Sequence, residues 1–255
     1  MAIRRFRDHV AEHNSFAVAV DVGIVVLGVF IGLQVNNWNQ ARLEARQGRE
    51  YRERLIRELD FNARQYAEQQ HYYGRVLDHG LKALAGLSGG QSARDFLINA
   101  YQLSQIDTTS PKSYIYDEMV SSGLVSRLGS EELQETASDY YLNIAATDRT
   151  IREVLPYRTT IRQLMPFAVQ SAIRDHCGDR YVFYRRRVVG VSLPDQCEVS
   201  LDAAAANEAA RAIRSTPGLR EEMTRYVASV DEKLDVLKMN LLMTRRFVRD
   251  LEAAR

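Results

Sequence analysis

FAVAVDVGIVVLGVFIGLQV, residues Phe16 to Val35, is the stretch on which the architecture turns. Its 20 residues, at about 1.5 Å per helical residue, reach about 30 Å, the thickness of a bilayer's hydrocarbon core. Thirteen of them are Leu, Ile, Val or Phe. At roughly −0.3 to −0.6 kcal/mol each, these favour insertion by about 4 to 8 kcal/mol. Asp21 opposes this by at most about 3 kcal/mol, and by less where it reaches headgroups. The balance predicts a transmembrane helix. A cleaved leader fits less well, because the run is long and ends in Gln34, Asn36, Asn37 and Trp38 instead of small residues. Trp38 suits the interface as an amphipathic anchor.

Within the run, Asp21, Val25, Gly28, Gly32 and Asn36 recur at helical spacing and share one face. Gly28 and Gly32 form a G-x-x-x-G pair, which lets two helix backbones approach closely. With an acid and an Asn on the same face, this predicts self-association through the anchor. The plainer alternative is that glycines are common in membrane helices and Asp21 reaches water.

The stretch Gly28-Val-Phe-Ile-Gly-Leu-Gln-Val-Asn-Asn-Trp-Asn39 resembles a family of bacterial single-pass membrane proteins whose apolar helix closes in a Gln-x-Asn-Asn-Trp-Asn signature. Tyr116-Asp-Glu-Met-Val-Ser-Ser-Gly123, Glu132-Leu133 and Tyr140-Tyr141 are similar to that family's middle region. The resemblance implies a membrane location and a helical body, and the membrane expected is the bacterial inner one. It implies no activity, so no functional residue is carried over.

The anchor divides the chain into a tail of residues 1–15, the span 16–35 and a body of residues 36–255. The 255 residues are 45% hydrophobic and 26% charged, as in a folded protein. A net charge of +1, from 34 basic against 33 acidic residues, gives no reason to expect a nucleic acid partner. The bilayer, a second copy and an unidentified protein are the expected partners. Orientation is nearly undecided by charge: Arg4, Arg5 and Arg7 precede the run, and Arg42, Arg46 and Arg49 follow it. A short arginine-bearing tail favours an N-terminus held in the cytoplasm, with the body outside.

Cys177 and Cys197, the only two cysteines, point the same way. The segment between them reads as a hairpin near 180–192: Tyr181 to Tyr184 is β-prone, Arg185, Arg186 and Arg187 are polar, and Val188 to Val191 is β-prone again. A disulfide closing about twenty residues stabilises by roughly 3 kcal/mol, and it persists outside the cytoplasm. Two unpaired thiols are the alternative.

The rest of the body is predicted all-α. A long helix runs from the anchor to Gly86, with Leu55, Leu59, Asn62, Tyr66, Tyr73, Leu77, Leu81 and Leu84 as its stripe. Further helices are expected over Ala93 to Gln105, Tyr114 to Val120, Ser130 to Leu155, Pro156 to Asp175 and Leu201 to Ser215. Thr216 is expected to cap a last helix with Pro217 at its first position. That helix carries Met223, Tyr226, Val230, Leu234, Leu237, Leu241, Thr244, Val248 and Leu251 at near-heptad spacing, as a coiled coil would. The two long helices are predicted to lie antiparallel in one bundle, or else to pair between subunits.

Four motifs invite chemistry. Leu87-Ser-Gly-Gly-Gln91 spells the signature of ABC-type ATPases. No G-x-x-x-x-G-K-[S/T] loop accompanies it, and none of the four lysines follows a glycine, so it reads as a helix–helix turn. His9-Val-Ala-Glu-His13 matches an inverted zinc-protease pattern, but in a short tail with no domain to supply a third ligand. Asp175-His176-Cys177 places three reactive groups in a row, whereas a triad is assembled from distant segments. Tyr181-Val-Phe-Tyr-Arg-Arg-Arg187 can bind a phosphate, a lipid headgroup or a nucleic acid strand. A solvated turn is the plainer reading, yet Arg185, Arg186 and Arg187 remain the best candidate contact surface. No cofactor, metal or catalytic set is expected. The sequence therefore points to a membrane-anchored interaction or scaffold protein. The alternatives are an extracytoplasmic ligand-binding or sensor module working through a partner, or a cytoplasm-facing adaptor. With fifteen residues ahead of the span, this chain is not expected to carry an output domain there.

Overall fold

The computed structural model describes residues 2–254, with side chains from Val20 onward. His9, Glu12 and His13, and the anchor's first residues Phe16 to Ala19, have side chains outside the described residues. The protein is all-α with one small hairpin: α1 (Ala2–Gly86), α2 (Ala93–Leu103), α3 (Tyr114–Ser121), a 3-10 turn (Val125–Leu128), α4 (Glu131–Arg152), α5 (Tyr157–Leu164), α6 (Phe167–Cys177), β1 (Arg180–Tyr184), β2 (Arg187–Ser192), α7 (Ala203–Ser215) and α8 (Leu219–Ala253). It divides into two compact units, Met1–Tyr51 and Arg52–Arg255.

In the first unit, one helix is long and apolar enough to cross a membrane. From Val20 to Val35 its large apolar side chains all face outward, with Ile24 62% and Val25 64% exposed. Among the described residues, none covers them. Arg42 lies over the Trp38 ring at 5.9 Å, so the ring carries a cation on its polar side.

In the second unit, α1 runs antiparallel to α8. Gln70 Nε2 donates to the Leu237 carbonyl at 3.1 Å, Lys233 Nζ lies 5.8 Å from the Tyr73 ring, and Gly80 abuts Val227 and Leu103. Rising numbers on one helix meet falling numbers on the other. Around this pair α4 packs on α8, α2 on α7, and α5 on α7 and α8. The core is rich in tyrosine: Tyr66, Tyr72, Tyr73, Tyr101, Tyr140, Tyr157 and Tyr226 are each at most 2% exposed. A buried phenol needs a partner for its hydroxyl, and most find one. Tyr157 donates to the Ala100 carbonyl at 2.9 Å, and Tyr140 pairs with Thr244 Oγ1 at 2.9 Å.

Several element boundaries differ from expectation. The region after Pro156 is two helices, because Pro166 precedes Phe167 and interrupts the chain. Thr216 ends α7, bonding Ala212 O at 2.8 Å, instead of opening α8. Gly218, at φ 76°, makes that turn, a conformation that favours glycine. The stripe on α1 rotates after Tyr73: Val76, His79 and Ala83 are buried, while Leu81 is 56% exposed. On α8 the buried residue near Val248 is Phe247. Ser130 caps α4, accepting from Leu133 N at 3.4 Å.

Candidate functional site: a basic groove at the hairpin tip

β1 and β2 form an antiparallel pair in which Tyr184 faces Arg187, leaving Arg185 and Arg186 as a two-residue turn. Both turn residues have positive φ, 46° and 64°. That is the signature of the tight hairpin turn usually built from Asn-Gly, and it costs bulky side chains about 1 to 3 kcal/mol each. At its base the hairpin is tied by a Cys177–Cys197 disulfide. Side chains of α2 hold both cysteine carbonyls: Gln102 Nε2 donates to Cys177 O at 2.6 Å, and Arg94 donates to Cys197 O at 3.2 Å. Along its length the hairpin lies on α1. A Cβ on Gly190 would sit 3.2 Å from Glu68 Cβ, a tight contact that would push the two elements slightly apart.

The turn's far side is one wall of a groove of about 410 Å³. Its lining includes Arg54 and Arg57 of α1, Lys112 of the loop before α3, Arg185 and Arg187 of the hairpin, and the acid Glu58. Four hydrogen bonds fix this geometry. The Asn62 amide clamps Lys112 through both backbone groups, donating to its O and accepting from its N, each at 2.8 Å. Glu58 accepts from Ile115 N at 2.9 Å and from the Tyr141 hydroxyl at 2.9 Å. The Tyr141 ring stacks on Tyr116 at 4.2 Å.

Aromatic faces carry the cations. Lys112 Nζ lies 3.4 Å from the Phe61 centroid. The guanidiniums of Arg64 and Arg185 lie 4.0 and 5.1 Å from that of Tyr184. Arg54 is paired with Glu118. Arg57, Lys112, Arg185 and Arg187 have no ion pair among the described residues. Burial holds the Lys112 ammonium below the ordinary lysine range, and the nearby Arg187 charge lowers it further.

A second polar cluster lies deeper. Asp107, 2% exposed, accepts from Thr109 N at 2.8 Å and Thr109 Oγ1 at 2.7 Å. Its backbone exchanges bonds with the Tyr73 hydroxyl at 3.3 Å. Tyr72 donates to Asp179 Oδ1 at 3.1 Å. Burial raises both carboxyls above the usual range, and Asp107's charge raises that of Asp179 further. Arg162 closes the cluster, donating to Ser104 Oγ at 3.1 Å and Gln105 Oε1 at 2.9 Å. These groups stitch the loop after α2 to the bundle.

The remaining sequence candidates fall as follows. Asp21, Gly28, Gly32 and Asn36 are exposed on the anchor helix, and nothing lies within 4 Å of the place a Cβ would take on either glycine. Leu87 to Gln91 is the turn after α1, with Gly89 and Gly90 at φ 94° and 84°. Asp175, His176 and Cys177 do not converge: Cys177 is bonded to Cys197, and His176 Nδ1 meets the Ala172 carbonyl at 3.0 Å. Two further histidines do not come together: His71 is exposed, and His79 pairs with Asn99 Oδ1 at 2.8 Å. No group of three or more His, Cys, Asp or Glu among the described residues could hold a metal. Arg185 and Arg187 line the groove, whereas Arg186 is not among its lining residues. Sequence reading missed Arg54, Arg57 and Lys112, which approach only through the long-range packing of α1 and the loop onto the hairpin.

No family model, no curated protein and no solved structure matches this chain.

Proposed function

We propose that this chain is a membrane-anchored helical interaction protein that self-associates through its anchor and works by contacts, without bond-making chemistry. The observation that carries the reading is the open Gly28–Gly32 face on an apolar helix whose neighbouring large side chains are all exposed. Such a face lets a second copy approach closely, and Asp21 and Asn36 on the same side can bond across it. The resemblance of Gly28 to Asn39 to bacterial single-pass proteins supports the bacterial inner membrane as its location. The disulfide supports an N-terminus inside and the body outside, since the bond persists there. It also favours a second reading, an extracytoplasmic ligand-binding module that signals through a partner.

The experiment is a transmembrane self-association reporter carrying residues 16–38 and, in parallel, cross-linking of the full chain in membranes. Gly28→Ile and Gly32→Ile should each reduce dimer several-fold, while Val29→Ile should not. Equal dimer in all variants, or none in the native chain, removes the self-association reading.

A further inference from the structure

The groove at the hairpin tip has a charge problem that the protein itself leaves unsolved. Five cations line it against Glu58, and among the described residues the acid bonded to one of them, Glu118, serves Arg54. Like charges brought together in a partly desolvated concavity repel at a cost that surface arginines ordinarily avoid by pointing apart. Here they are held. Asn62 fixes the Lys112 backbone, and Tyr184 carries the Arg185 guanidinium. The hairpin adopts a left-handed turn at two arginines, where Asn-Gly would meet the backbone's demand more cheaply. The turn chemistry thus does not explain an arginine at position 185, whose side chain lines the groove beside Arg187.

We propose that this groove binds a phosphate group, with Arg57, Lys112 and Arg187 donating to its oxygens and Phe61, Tyr114 and Tyr184 flanking the moiety that carries it. A carboxylate brings one charge. A phosphate monoester brings about −1.5 to −2 and three strong acceptor oxygens. Two guanidinium forks and an ammonium match that number of acceptors. The groove's volume of about 410 Å³ suits one small ligand and leaves no track for a nucleic acid strand, which needs an extended basic path. The shared chemistry is a phosphate ester, soluble or as a lipid headgroup. The site stands on the body alone and does not depend on the anchor pairing.

The test uses the full chain in nanodiscs of neutral phosphatidylcholine. Binding of inorganic phosphate, glycerol 3-phosphate and short-chain phosphatidic acid is measured calorimetrically at constant ionic strength. We expect saturable one-to-one binding of glycerol 3-phosphate. Arg57→Gln and Arg187→Gln should each weaken it about ten-fold or more, and Arg187→Lys should recover part of the loss. Arg211→Gln, at an exposed arginine of α7 outside the groove, should leave it within about two-fold. Arg57 and Arg187 are exposed and have no ion pair among the described residues, so both variants should fold, and an unchanged thermal melt verifies this. Tighter binding of phosphatidic acid than of glycerol 3-phosphate identifies a lipid headgroup, and equal binding a soluble ester. Absence of saturable binding to all three probes overturns the proposal, as do equal losses in R57Q, R187Q and R211Q.

Discussion

Glu58 is a carboxylate, 7% exposed, with two donors bonded to it and no ion pair among the described residues. Burial is the largest influence on it and raises its pKa, the bonds from Ile115 N and Tyr141 offsetting only part. Asp107 is raised for the same first reason. A carboxyl whose folded pKa lies above its unfolded value binds its proton more tightly in the native state. Its contribution to stability is complete below the ordinary carboxylate range and is lost as pH rises through the raised value. His79 acts oppositely: burial lowers its pKa, so its neutral form favours folding and stability is lost as pH falls through the ordinary histidine value. Comparing the native chain with Glu58→Gln isolates the first effect. As pH is lowered from about 7.5 to about 4.5, the melting temperature should move in favour of the native chain relative to E58Q, which has no proton to gain there. Near-ultraviolet circular dichroism in micelles reads this. A gap that moves the other way would mean the two hydrogen bonds outweigh burial.

The hairpin is the element in which local cost and long-range contact are easiest to separate. Arg186 adopts φ 64°, yet is not among the groove's lining residues. Arg186→Gly should therefore relieve strain at little cost, stabilising by about 0.5 to 1 kcal/mol. That raises the melting temperature by about 1 to 4 °C and leaves phosphate binding unchanged. The same change at Arg185 should stabilise similarly but weaken binding. At the hairpin's base, the disulfide closes a separation of 20 residues. Cys197→Ser should cost about 3 kcal/mol, or about 6 to 12 °C of melting temperature. A reductant should reproduce this in the native chain and add nothing in the variant. The hairpin's strands and the long helices were legible in the sequence because periodicity and β-branched runs are local signals. The Pro166 break was equally local but hidden behind Pro156. The capping residue of α8 was misread because Thr216 can serve either the helix before it or the one after it. Which way it turned depended on Gly218 taking the left-handed bend. The rotation of the α1 stripe after Tyr73 depended on what α2 and α8 place against Gly80, and no local pattern records that. The groove's other cations were illegible for the same reason, since Arg57, Lys112 and Arg187 meet only after three separate segments pack.

At the scale of the whole molecule, the anchoring proposed above leaves a choice between two sides of the membrane for the body. Charge leaves it balanced, with three arginines in the fifteen residues on each flank of the apolar run. The disulfide breaks the balance physically: Cys177 is fully buried and its partner's carbonyl is bound by Arg94, so the bond belongs to the folded state and needs an oxidising compartment to persist. On this reading the proposed phosphate site faces that same compartment. Two fusions after Arg255 in a bacterial host decide the matter, alkaline phosphatase, which is active outside the cytoplasm, and green fluorescent protein, which is bright inside. We expect an active phosphatase fusion and a dark fluorescent one, with Cys197→Ser lowering the amount of phosphatase fusion through the lost stability. A bright fluorescent fusion would return both cysteines to the thiol state in the cell. It would make C197S silent in vivo while still destabilising the oxidised protein in vitro. That second contrast separates an error about orientation from an error about the bond itself, because orientation changes only where the cysteines are oxidised, not what the bond does to the unfolded chain.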